Sequence, residues 1–201
     1  MLREGGAGIL VKTPTKTPCG LSDLSLLLYP PMSNDIGLVR GLFCYFIKPY
    51  KLSGVSCMVA RSAGDVRVTV GNWDGESTDL RVNSGATVIA NEFIKNYMAM
   101  LVQYTKLVGV DKIIYYFTLN DDNSLTLVDA RLSVNKFLGP GMLRDVFGKQ
   151  INTQEVLCIE MLSDKIQDRL NVGADMFSDG VIIKPSRFRF LPDGNPCYVN
   201  L

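Results

Sequence analysis

Apolar and polar positions along the chain follow two periods. From Gly37 to Lys48, Val39, Phe43, Tyr45 and Ile47 are spaced by two on one side with Gly41 in step, which predicts a strand. Ser53-Gly54 marks a turn before Val55–Ala60, and Ala63-Gly64-Asp65 marks another before Val66–Val70, where valines alternate with polar residues. A three-strand meander is expected, with a fourth short strand over Asp79–Val82 after the loop Asn72–Glu76. Between Ala86 and Val108 the period changes. Ile89, Phe93, Tyr97, Met100, Tyr104 and Leu107 recur at helical spacing, with Ser84 or Thr87 as N-cap and Gly109 as terminator, so an amphipathic helix is predicted there.

The strand period returns in Ile113–Leu119 and Leu125–Asp129, flanking the turn-forming Asn120-Asp121-Asp122-Asn123-Ser124, and predicts a hairpin. Arg131–Leu138 extends the sheet until Gly139-Pro140-Gly141, and Met142–Phe147 reads as a short helix. Glu155–Met161 fits a strand, yet Ile159, Leu162, Ile166 and Leu170 also fit a helical stripe, and Asn152 with Glu155 resembles a capping box; the reading adopted is a strand and then a helix from Ser163. A last strand is expected at Val181–Lys184. Residues 1–35 carry glycines, Thr-Pro steps and Pro30-Pro31, and read as a flexible N-terminal arm whose run Leu24–Tyr29 docks on the body or on a neighbouring subunit. Residues 36–201 then form a single α+β domain of antiparallel meanders, each followed by a helix.

Composition narrows the chemistry. Lys plus Arg number 21 against 20 Asp plus Glu, so binding to a polyanion requires a local basic patch. Histidine is absent, which removes His-dependent triads and His-containing zinc sites. The five cysteines, Cys19, Cys44, Cys57, Cys158 and Cys197, are scattered and read as reduced thiols in a cytoplasmic protein; no apolar run reaches the ~20 residues of a membrane span, and no secretory leader is evident. Gly5-Gly6-Ala7-Gly8 lacks the surroundings of a phosphate loop, and Asp121, Asp122, Asn123 and Asp129 lack EF-hand spacing. Asp74 with Glu76, and Asp164 with Asp168, read as surface carboxylates. No catalytic residue, metal site or cofactor is expected.

One constellation stands out. Residues 36–70 hold Arg40, Lys48, Lys51, Arg61 and Arg67 against the single acid Asp65, with Tyr45, Phe46 and Tyr50 among them; Trp73 follows, and the tail repeats the theme in Lys184, Arg187, Phe188, Arg189 and Phe190. Cations hold phosphates and aromatic faces stack unpaired bases, so nucleic-acid contacts are expected from Arg40, Lys48, Tyr50, Lys51, Arg61, Arg67, Trp73, Arg187 and Arg189. The competing explanation is that the aromatics are core and the cations are the wet side of strands.

The element order over roughly residues 36–172 resembles that of the Whirly and PUR single-strand nucleic-acid-binding proteins. The likeness is in pattern alone: Lys51-Leu52-Ser53-Gly54-Val55 is not the Whirly lysine-glycine-lysine signature, and no residue role is carried over. The resemblance implies curved sheets that bind single-stranded RNA or DNA, often in a homo-oligomer; a phage or viral RNA-binding protein of this fold, which would act in the host cytoplasm, is a separate expectation. The expected function is therefore a non-enzymatic single-stranded nucleic-acid binder. The alternative is a viral or phage shell or tail component that clasps a neighbour with its arm, and a carboxylate- and lysine-based enzyme ranks third because histidine is missing.

Overall fold

The computed structural model describes residues 27–62, 65–73, 85–133 and 136–201. Ten strands and three α-helices lie among them: β1 (Phe43–Ile47), β2 (Gly54–Ser62), β3 (Asp65–Asn72), α1 (Gly85–Val108), β4 (Lys112–Leu119), β5 (Leu125–Ser133), β6 (Lys136–Leu138), α2 (Pro140–Phe147), β7 (Asn152–Thr153), β8 (Val156–Met161), α3 (Asp164–Asn171), β9 (Ile182–Pro185) and β10 (Val199–Asn200). The fold is α+β. The strand expected at Asp79–Val82 and the first 26 residues of the arm lie outside the described residues.

A larger sheet runs in the order β3-β2-β4-β5-β6, with β7 parallel to β5, and a smaller one in the order β10-β9-β1-β8. Alternation along the strands explains how they stack. In β4, Ile113, Tyr115 and Phe117 face one way and pack with Ile94 and Leu101 of α1 and Leu143 and Phe147 of α2. Ile114 and Tyr116 face the other way, into a cluster with Met58, Trp73, Val128 and Phe137. The smaller sheet packs Cys44, Phe46 and Ile183 against Leu162, Phe177 and Ile166 of α3. The result is four layers, helix, sheet, sheet, helix, and β4 is apolar on both faces because both are covered.

β1 departs from the expected meander. It pairs with β8 and β9, not with β2, because Pro49 and the loop to Ser53 turn the chain out of the first sheet into the second. β2 then enters so close to β4 that a Cβ on Gly54 would lie 1.9 Å from the Phe117 carbonyl oxygen, which leaves room for glycine alone.

The predicted helix is present, but its buried line is displaced. Ile94, Leu101 and Thr105 are fully buried, Phe93, Tyr97, Met100 and Tyr104 flank them, and Leu107 is 81% exposed. Thr105 donates to the Leu101 carbonyl at 2.8 Å and meets the Tyr115 hydroxyl at 3.0 Å, so a polar residue sits on the deepest line. Gly109, at φ +74°, ends the helix. In the β4–β5 hairpin Asn123 takes φ 64°, and Asp122 accepts from the Ser124 backbone and hydroxyl. β8 and α3 follow the strand-then-helix reading, with Ser163 at the N-cap of α3.

Residues 27–35 are packed on the body. Leu27 is 1% exposed, its carbonyl accepts from Ser56 Oγ at 2.7 Å, and Ser33 exchanges backbone hydrogen bonds with Tyr198 and Asn200.

Candidate functional site

Where the two sheets face each other, a lysine and an aspartate meet in the dry interior. Lys184 on β9 stands opposite Tyr45 of β1, so it points out of the smaller sheet on the side away from Cys44 and Phe46. Its Nζ donates to Asp129 Oδ2 at 2.9 Å, the Val128 carbonyl at 3.0 Å and Gln154 Oε1 at 2.8 Å, so each of its three protons has an acceptor. Lys184 is 1% exposed and Asp129 0%. The ammonium also lies 4.8 Å from the Tyr198 ring centroid and 5.2 Å from that of Tyr50.

Asp129 is satisfied by more than its counter-ion. Tyr198 donates to Oδ1 at 2.9 Å and Tyr29 to Oδ2 at 2.5 Å, while the Tyr29 and Tyr50 hydroxyls are 2.7 Å apart. Since Tyr29 gives its proton to the carboxylate, Tyr50 is the donor to Tyr29. Burial, reinforced by the Asp129 charge, holds the Tyr29, Tyr50 and Tyr198 phenols well above their ordinary value. Burial pulls the Lys184 ammonium down, and Asp129 opposes that pull. With its protons committed, Lys184 acts as a fixed buried charge and not as a nucleophile.

Beside this cluster lies a cleft of about 410 Å³, lined by Lys48, Tyr50, Asn120, Thr126, Thr153 and Gln154 among others. Its cation at the rim is Lys48, 3.3 Å from Glu155 with both side chains well exposed. Lys184 offers only donors, so Gln154 must turn its oxygen toward it; Gln154 Nε2 is then left as a buried donor with no partner among the described residues. Behind Tyr50, Tyr29 stacks on Trp73 with ring centroids 4.2 Å apart and planes 15° apart, and Trp73 Nε1 is likewise buried without a partner among the described residues.

The residues expected to contact nucleic acid are dispersed. Lys48 and Tyr50 come together at the cleft, and Lys51, one residue on, pairs with Asp121 of the β4–β5 turn. Trp73 is 6% exposed, its face covered by Tyr29. Arg40 pairs with Asp164 at the start of α3. Arg61 lies about 23 Å along β2 from Gly54, at the rise of an extended strand. Arg67 stands opposite Ala60 in the β2–β3 ladder. Arg187 and Arg189 alternate outward from Phe188 and Phe190, which pack against Phe137.

Sequence reasoning misses Asp129, Gln154, Tyr29 and Tyr198 as site residues, and counts Lys184 only as part of a basic tail. The available signal is a charge ending the apolar run Val181-Ile182-Ile183 and another following Leu125–Val128. Among the described thiols, Cys44 and Cys57 are buried, and that burial pushes both up to about 12, away from thiolate chemistry.

No family model matches this sequence, and no curated protein matches it. Among solved structures, a point mutant of Naegleria gruberi RNA ligase R4a in its apo form is similar at 14% identity with a TM-score of 0.49, covering 94% of this chain and 60% of that one. That protein is an enzyme, which runs against the expectation of a non-enzymatic binder and the exclusion of enzymatic activity, while a likeness at this score carries no argument about what this chain does. At this identity and score it assigns no residue, substrate or reaction to the present chain. Among the described residues no helix is long and apolar enough to cross a membrane.

Proposed function

We propose that the chain binds a nucleotide unit, free or at the end of a nucleic-acid strand, in the cleft beside Lys184. The observation that carries this reading is the unpartnered Gln154 amide: a buried donor fixed by Lys184 in a cleft that also presents an ammonium and a tyrosine ring. A buried donor without a partner costs about 1–3 kcal/mol, and a ligand oxygen would recover it. Lys48 supplies a cation for a phosphate, Tyr50 an aromatic edge, and Asn120 and Thr126 further polar atoms. The volume falls within the range of small-molecule sites, about 300–1,000 Å³. Lys51, paired with Asp121, adjoins the lining residues Tyr50 and Asn120 and is the second cation this reading assigns to a strand that continues beyond the cleft.

Isothermal titration of the full chain with ATP, and with a short single-stranded oligonucleotide bearing a terminal phosphate, tests the reading at low salt. Lys48→Ala should weaken binding by about tenfold, the scale of one hydrogen bond to a charged group. Gln154→Leu should weaken it while Arg61→Ala does not. Absence of binding to both ligands at low salt, where the phosphate contribution is greatest, would remove the proposal.

A further inference from the structure

We infer that Leu27–Pro30 is a displaceable strap that occludes the inner part of this site, so that ligand binding in the cleft competes with the chain's own Tyr29. The inference rests on the nucleotide-binding reading above and adds a means of regulation to it.

Three observations support it. Tyr29 lies directly behind a residue of the cleft wall: its hydroxyl is 2.7 Å from that of Tyr50, and its ring covers the face of Trp73. Withdrawing Tyr29 would join the cleft to the space over Trp73 and leave Asp129 Oδ2 with Lys184 as its remaining donor. Second, the strap is fastened by side chains and not by a ladder. Among the described residues, the backbone-to-backbone hydrogen bonds outside helices and strands begin in this segment at Ser33, beyond Pro30-Pro31, whereas Leu27, which is helical, and Tyr29 are fixed to the body by packing, one hydrogen bond to the Leu27 carbonyl and the two at the Tyr29 hydroxyl. A segment without ladder bonds lifts without breaking a sheet. Third, Trp73 Nε1, whose N–H lies in the indole plane and is therefore not reached by the stacked phenol, is buried without a partner among the described residues.

The geometry provides a lock. A Cβ built on Gly71 lies 3.5 Å from Leu27 Cβ, within the span of a disulfide, so Leu27→Cys combined with Gly71→Cys can tether the strap in the full chain and release it by reduction. ATP affinity is measured for this protein oxidised and reduced, with emission from Trp73, the only tryptophan in the sequence, read in parallel. The expected result is at least tenfold weaker binding when oxidised, and a change in Trp73 emission on adding ATP to the reduced form alone. Tyr29→Ala should bind ATP more tightly than the native chain. Equal affinity in both redox states would overturn the strap and leave the cleft reading standing; no binding by any form, Tyr29→Ala included, would overturn both. The oxidised and reduced comparison holds even where Tyr29→Ala impairs folding.

Discussion

Lys184 Nζ lies 2.9 Å from Asp129 Oδ2 between the two sheets, and neither side chain reaches solvent. Removing two charges from water is costly, and the pair is tolerated because the other two ammonium protons and both carboxylate oxygens have further partners: Val128 and Gln154 for the ammonium, Tyr29 and Tyr198 for the carboxylate. The pair also joins the smaller sheet to the larger, since one partner sits on β9 and the other on β5.

Lys184→Met leaves Asp129 with two phenol donors and no counter-charge, and Asp129→Asn leaves the ammonium with only neutral oxygens. Each change alone is expected to lower stability by about 3–5 kcal/mol in urea unfolding. The double variant should lose less than the two together, because neither charge is left alone. Single losses under about 1 kcal/mol would show that water reaches the pair.

Stability should fall at alkaline pH. For Tyr29, Tyr50 and Tyr198 the folded-state value is raised, so their contribution is fully present below the unfolded phenol value of about 10 and is lost as pH rises from there toward the folded values. Each contributes at most about 1.4 kcal/mol per pH unit. Lys184, depressed by burial, acts in the opposite sense, since the unfolded chain keeps its proton longer. Three groups outweigh one. Denaturant unfolding as a function of pH should show the fall beginning near pH 10, and Tyr198→Phe should reduce its slope. A flat profile to higher pH would contradict the buried tyrosine cluster.

The displaced face of α1 predicts unequal costs along the helix. Ile94→Ala should cost about 2–5 kcal/mol, as large-to-small changes in a closed core do, whereas Leu107→Ala should stay within about 0.5 kcal/mol. Equal losses in thermal or urea melts would place the helix in another rotation.

Much of the architecture was legible because it is local. The 3.6 period bounded α1 to within a residue or so of Gly85–Val108, and the Asn-Asp turn marked the β4–β5 hairpin. β8 followed by α3 was legible from the alternation before Ser163. The rotation of α1 was less so, because its apolar arc is broad: Phe93, Tyr97, Met100 and Tyr104 lie on its flank, and only packing on β2 and β4 selects Ile94, Leu101 and Thr105 as the deepest line.

The site was legible only at its rim. Lys48 and Tyr50 stand out within a short basic and aromatic stretch, so nearby residues suffice to find them. Tyr29, Asp129, Gln154, Lys184 and Tyr198 come from distant parts of the chain, and none has a polar partner near it in sequence. Which residues share a face of each strand or helix follows from the order of amino acids, because side-chain direction follows from backbone period. Which faces meet is a matter of packing: β1 leaves the first meander for the second sheet, and that pairing carries β9, and Lys184 with it, over Asp129. Stacking of sheets depends on burying whole apolar faces at once, a property of the assembled layers that no local window contains.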